Sequence, residues 1–389
     1  MKPSATLAMT ARTKKRRRDG FPVIGLSAGE PDFDTPKVIG DAAIAAIQEG
    51  FTRYTVNAGM LELREGIAAK LRQDSSLSYT PDEILCSNGA KQSVAQSISV
   101  LCDAGDEVLI PAPYWVSYPE MVRFAGANPV FIPTDVASGY RITPAQLEAA
   151  ITPRTRVLML CSPSNPTGTV YSRDEFEALA DVLRKHPDIY VVSDEIYEYI
   201  VYDAEHVSVA TLDGLRERTV TINGFSKSYA MTGWRLGYLA APAPIVQAAA
   251  KLQSQSTSAP SSISQKAGIA ALQMDRGPLD EMRTAFRRRR DFVLSSLAGI
   301  PDVTCARPEG AFYVFPDISG YFGRSTPDGS RIQSSEELCI FILEHFNVGL
   351  VPGQAFGGPG GIRLSYAASM SNLEEAMKRI IAALSSLSS

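Results

Sequence analysis

The chain has 389 residues, of which 45% are hydrophobic and 21% charged, enough for one large domain with a smaller one attached. A net charge of -4 gives no reason to expect nucleic acid as a partner, and no apolar run approaches the roughly 18 residues of a membrane span. Three histidines (His186, His206, His345) and five scattered cysteines leave little from which to build a histidine triad, a metal site or a disulfide frame.

The chain opens Met1-Lys2-Pro3-Ser4-Ala5-Thr6 with no apolar signal core. The basic run Lys14 to Arg18 reads either as a polyanion-binding patch or as a solvated helix end. Val23 to Leu26 is a short strand leading into Ser27 to Pro36, a Gly/Pro/Asp-rich loop that brings backbone rather than side chains close to something. Helical periodicity follows at Lys37–Gln48 and Leu61–Leu71, separated by a loop that carries Tyr54.

From Glu83 the pattern alternates strand and helix. Glu83–Cys86 is a strand, and Ser87-Asn88-Gly89-Ala90-Lys91 opens a helix running to about Leu101, its small-residue N-terminus either a seat for an anion or a plain N-capped helix start. Glu107–Pro111 is a strand, and Pro113-Tyr-Trp115-Val-Ser-Tyr-Pro119 opens the next helix. Trp115 serves either to cover a flat ring or as core. The apolar run Val157–Leu160 delivers a proline-stiffened loop, Ser162-Pro-Ser-Asn165-Pro-Thr-Gly168, at the strand end where α/β ligands bind. A helix at Arg173–His186 precedes the strand Ile189–Val192, which ends at Asp194-Glu-Ile-Tyr197. Asp194 follows an apolar strand directly, so it needs a cationic or donor partner, and a protonated pyridine nitrogen would be one.

The strand Thr219–Asn223 leads to Lys227, with Leu236–Ala240 completing the series. Among small and aromatic neighbours a lysine holds its proton poorly and its free amine can form a Schiff base with an aldehyde. Arg235 offers a planar fork suited to phosphate. An aldehyde bearing a phosphate is pyridoxal 5'-phosphate; the plain alternative is a strand-end lysine in solvent. Helices follow at Ile245–Leu252, Ser264–Gln273 and Leu279–Ser296, then mixed segments containing Gly310 to Phe315, Glu336–Phe346 and Gly361 to Tyr366, and a last helix at Asn372–Leu384.

Read in order, Asn165-Pro-Thr-Gly, Asp194-Glu-Ile-Tyr and Ser226-Lys-Ser-Tyr-Ala-Met-Thr-Gly-Trp-Arg235 resemble the class I, fold-type I pyridoxal-phosphate aminotransferases, over nearly the whole chain. The resemblance implies an α/β fold: a large domain (37–278) with a mainly parallel mixed sheet sandwiched by helices. A smaller α+β domain would be made by the N-terminal arm (1–36) with the C-terminal segment (279–389). By the same resemblance Lys227 would carry the Schiff base and shuttle a proton. Asp194 would pair with the pyridinium nitrogen, and Asn165 and Tyr197 would bond the ring's O3'. Trp115 would stack on the ring. Gly89, Ala90, Lys91, Ser226 and Arg235 would lie at or near the phosphate, with Tyr54 reaching it from a neighbouring subunit of a homodimer. Arg363 would clamp the substrate α-carboxylate, and Gly29 would present backbone to the substrate.

The loops around Lys2-Pro-Ser-Ala-Thr6, Glu30-Pro-Asp-Phe-Asp-Thr-Pro36 and Pro111-Ala-Pro-Tyr-Trp115 look like the bifunctional aspartate/prephenate aminotransferases of bacteria and of plant and algal plastids. That implies aspartate or glutamate as donor and conversion of prephenate to arogenate, on the route to phenylalanine and tyrosine. The arginine that better-known aspartate aminotransferases donate from the partner subunit has no match in Gln253 to Ser258. Lys91, assisted by Lys2 and Thr6, would hold the second carboxylate instead. Family members carry residues ahead of the Lys-Pro-Ser motif, in plants a transit peptide, so a chloroplast location is expected for a plant or algal source and a cytoplasmic one otherwise. The alternatives are an aspartate aminotransferase without prephenate activity, a lyase or synthase of the same fold, and a non-catalytic amino-acid sensor.

Overall fold

A computed structural model describes residues 5–388. Its centre is a seven-stranded sheet built from β1 (Ile84–Ser87), β2 (Glu107–Ala112), β3 (Asn128–Pro133), β4 (Thr155–Cys161), β5 (Tyr190–Asp194), β6 (Thr219–Gly224) and β7 (Gly237–Ala240), in the spatial order β1-β7-β6-β5-β4-β2-β3. β7 runs antiparallel to both of its neighbours, and the remaining pairs are parallel. β6 is buried at every position and β5 at all but Tyr190, as expected of strands covered on both faces by helices.

Each face of the sheet has its own cover. Helices Ala90–Leu101, Tyr118–Phe124 and Ala243–Ser254 pack on one side through Val94, Ile98, Val122 and Val246. Helices Lys37–Gln48, Leu61–Ser75 and Ser262–Gln273 form a core through Ile39, Leu63, Ile67 and Ala267. Helices Pro144–Ala150 and Arg173–Arg184 form another through Leu147, Phe176 and Leu183.

A further core joins the two ends of the chain. Met9, Val23 and Leu26 pack with residues drawn from Met282 to Leu387 around the long helix Gly277–Ala298. A small antiparallel sheet lies there, in the order Val351–Pro352, Ile362–Ser365, Tyr313–Val314, and Ile24–Gly25 pairs in parallel with Val348–Gly349. None of the helices among the described residues is long and apolar enough to cross a membrane.

Two elements escape sequence reading. Strand β3 contains Pro129 and Pro133 and is exposed or half-buried at every position but Ile132, because it is the sheet edge, where a missing N–H costs no ladder bond. Helix Pro144–Ala150 is a short capped segment held by Thr143 and Gln146 rather than by a long apolar stripe. The helix expected from Pro113 starts at Tyr118, and the Tyr114 N–H is tied instead to Phe356 O at 2.9 Å. The basic run closes helix Ala5–Arg18, where cations complement the helix dipole. Arg16 there donates to Asn347 Oδ1 at 3.0 Å, and Arg17 to Val23 O at 2.9 Å, so the helix end is docked onto the fold.

Candidate active site

Strands β1, β4, β5 and β6 are parallel, so their C-terminal ends lie along one edge of the sheet, where an open α/β sheet binds its ligand. The loops leaving those ends bring Ala90 and Lys91, Asn165, Asp194 and Tyr197, and Ser226 and Lys227 around one cavity of about 340 Å³. Trp115, Arg235, Gly29, Thr6 and Arg363 line it too, together with Tyr118 and Tyr313.

Lys227 follows β6 and donates from Nζ to Gly29 O at 2.5 Å. Its pKa is lowered to about 8, first because burial disfavours the ammonium and then because Arg363 and Arg235 lie nearby, against the opposing pull of Glu30 and Asp194. An amine in that state is available as a nucleophile and a proton carrier near neutral pH.

Asp194 ends β5 and is only 4% exposed. Tyr118 donates to its Oδ2 at 2.6 Å, and the Ile196 N–H reaches its Oδ1 at 3.3 Å. Burial nevertheless pushes its pKa up to about 6, as expected of a carboxylate with no cation within bonding distance. A protonated ring nitrogen would supply that cation.

The anion seat is built from backbone. Gly89 caps helix Ala90–Leu101 at φ 87° and ψ 156°, a backbone conformation that favours glycine, with the Arg235 guanidinium packed close against it. The Ala90 and Lys91 amides donate to no acceptor among the described residues. Arg235 adopts left-handed backbone at φ 55° and is held by Asn88 O at 3.1 Å and Thr232 O at 3.0 Å. Burial and the neighbouring Arg235 both lower the Lys91 pKa, so two cations and a helix N-terminus converge there without an anion between them. Free amine, buried carboxylate and anion seat together fit the aldehyde, ring nitrogen and phosphate of pyridoxal 5'-phosphate.

Arg363 is fully buried on Ile362–Ser365. Nη1 donates to Asn165 Oδ1 at 2.9 Å and Nη2 to Ser27 O at 2.6 Å, while Nε has no partner among the described residues. The guanidinium stands 4.5 Å from the Tyr313 ring centroid and 5.0 Å from that of Phe356. It has hydrogen-bonding capacity left and no carboxylate beside it.

Tyr197 is buried with its hydroxyl 2.9 Å from that of Tyr313, and the Lys91 Nζ stands 5.0 Å from the Trp115 ring centroid. The Thr6 hydroxyl, at the start of helix Ala5–Arg18, is buried without a partner among the described residues. Lys2 lies outside the described residues. Tyr54 is fully exposed and stands apart from the cavity lining within this chain.

Two residues escaped the motif reading. Tyr118 and Tyr313 touch Asp194 and Tyr197 respectively, yet nothing in their spacing distinguishes them from core tyrosines. Tyr118 lies within the aromatic segment that carries Trp115, which was the available signal.

The sequence profile of the family described as aminotransferase class I and II matches residues 22–380. A Petunia hybrida protein named bifunctional aspartate aminotransferase and glutamate/aspartate-prephenate aminotransferase is 52% identical over 388 residues, covering 99% of this chain and 81% of its own. An aspartate/prephenate aminotransferase of Nitrosomonas europaea is 48% identical, covering 99% of this chain and 98% of its own. The crystal structure of a Rhizobium meliloti aspartate aminotransferase superposes with a TM-score of 0.96 at 46% identity, covering 100% of this chain and 98% of that one.

Proposed function

Because the chain belongs to the class I and II aminotransferases and is, with them, a pyridoxal-phosphate-dependent enzyme, we propose that it exchanges the amino group of aspartate or glutamate with 2-oxo acids that include prephenate. The observation that carries the dicarboxylate reading is the placement of two cations in one cavity. Arg363 has an unused donor at one position, and Lys91 stands beside Trp115 at another. A lysine on a flexible stem meets carboxylates at different distances, which suits both a C4 acid and a bulkier one. The names of the Petunia and Nitrosomonas relatives support the prephenate part.

Bound pyridoxal phosphate supplies an electrophilic aldehyde and a ring that withdraws electrons from the substrate Cα. The chain's residues do the rest. Asp194, ionised beside a ring nitrogen, keeps that nitrogen protonated, and Tyr118 holds the carboxylate in place. Ala90, Lys91, Ser226 and Arg235 secure the phosphate, and Trp115 covers the ring. Asn165 and Tyr197 bond the ring oxygen. Arg363 would hold the substrate α-carboxylate, and Gly29 would present backbone to the substrate beside Lys227. The Lys227 amine, whose pKa burial lowers to about 8, would accept the substrate Cα proton at Nζ and give it back.

A half-reaction tests the prephenate claim. The protein is converted to its amino form with aspartate, freed of donor, and the aldehyde-form absorbance is followed on adding prephenate. Prompt return is expected in the native protein. It should be lost in Lys2→Ala or Thr6→Ala variants that still respond to oxaloacetate. A response to oxaloacetate alone would make this an aspartate aminotransferase without prephenate activity.

The same reading includes a homodimer with Tyr54 serving the neighbouring site, supported by exposed Ile44, Ile47, Tyr54, Val56, Leu61 and Leu252. Tyr54→Ala and Lys227→Ala subunits, each impaired alone, should regain activity when co-assembled. The Lys227 of one subunit then meets the Tyr54 of the other. Absence of any recovery in verified hybrids would remove the shared site. The division into 1–36, 37–278 and 279–389 also belongs to this reading, supported by the core that joins Met9 to Leu26 with Met282 to Leu387.

A further inference from the structure

Leu7 is one of the cavity side chains that the mechanism above leaves unused. It sits beside Thr6 in the first turn of helix Ala5–Arg18 and lines the cavity, yet it is 67% exposed. The same helix buries Met9 to 5% exposure, so it is docked and Leu7 stands at the opening rather than on a loose segment. The cavity is unevenly furnished. Lys227, Asp194 and Arg363 make its interior polar, whereas Leu7, with half-buried Val116, supplies aliphatic surface. Val116 is itself backed by Phe315, Val351 and Phe356, which holds that wall in place.

We propose that Leu7 is a specificity-determining residue, an apolar contact for the carbon skeleton of 2-oxo acids larger than the C4 and C5 dicarboxylates. This rests on the dicarboxylate reading above. A C4 diacid is held by its two carboxylates, and its single methylene leaves little for a leucine to cover. A larger acid, with a ring attached beside its second carboxylate or a longer chain between its carboxylates, extends to the opening and removes the exposed Leu7 side chain from water. That burial is worth roughly tenfold in kcat/KM.

The test measures kcat/KM in holoenzyme of native sequence and in Leu7→Ala and Leu7→Met variants, with oxaloacetate, 2-oxoglutarate, 2-oxoadipate and prephenate as acceptors. Leu7→Ala is expected to lower the value for prephenate roughly tenfold through KM, and that for oxaloacetate by no more than about twofold. Leu7→Met, of similar apolar size, should keep the native ranking. An equal loss with every acid, or no loss with any acid larger than 2-oxoglutarate, overturns the proposal. If the native enzyme rejects prephenate but accepts 2-oxoadipate, the prephenate reading falls, and the contrast between 2-oxoadipate and oxaloacetate decides the role of Leu7. If it accepts nothing larger than 2-oxoglutarate, both fall.

Discussion

Lys227→Ala should lower transamination by at least about 10⁴-fold while the protein stays folded, because one side chain supplies both the nucleophilic amine and the general base. The comparison is the rate with aspartate and 2-oxoglutarate at saturating cofactor, with near-ultraviolet circular dichroism as the fold check. Retention of more than about one hundredth of the native rate would contradict the assignment. A second consequence concerns pH. The Lys227 pKa is lowered from 10.5 to about 8 by burial, so the folded protein binds fewer protons at this group than the unfolded chain between those values. Stability therefore rises with pH through that window, and the cost of the buried cation is fully present below about 8. In cofactor-free protein, Lys227→Met should melt higher than the native sequence at pH 7. The lost bond to Gly29 O offsets part of this gain. The advantage should shrink as pH rises from about 8 through 10.5. A difference independent of pH would mean that the amine is not held in a cation-disfavouring site.

Arg363→Lys should lower kcat/KM for aspartate and glutamate by roughly 10²- to 10³-fold, since a bidentate charge-assisted contact becomes a single point charge. The change also strips a donor from Asn165 Oδ1 or Ser27 O, both bonded by the guanidinium. The loss should fall mainly on substrates that carry an α-carboxylate. Steady-state kinetics with aspartate, set beside slow turnover of an amine lacking that carboxylate, separates the two effects. An equal loss on both would show that Arg363 acts through Asn165 and the surrounding packing, not through the substrate.

Much of the sheet was readable from residues alone. Val157–Leu160 and Ile189–Val192 are short apolar runs of the kind found in strands covered on both faces, and their endings announce the Asn165 and Asp194 loops. Strand β3 was not readable because an edge strand accepts proline and exposure, which are the signals normally used to reject a strand. Glycines informed unevenly. Gly89 belongs to an anion-binding turn legible in the sequence, but its φ of 87° and the Arg235 guanidinium packed against it, from a segment nearly 150 residues away, come from the fold.

Local chemistry thus determined which side chains carry reactive groups: a lysine past a buried strand, an aspartate ending another, an arginine on a third. Spacing along the chain could not say which of them meet. Parallel strands place their C-terminal ends together regardless of separation in sequence, and that is what brings Asp194 and Lys227 to one cavity with Ala90 and Asn165. Tertiary structure alone also decided the pKa values, since burial that lowers Lys227 and raises Asp194 depends on everything packed around them. It likewise decided the roles open to Tyr118, Tyr313 and Leu7. A tyrosine or leucine has the same local propensities in a core as at a site, and only the neighbours that folding supplies distinguish the two.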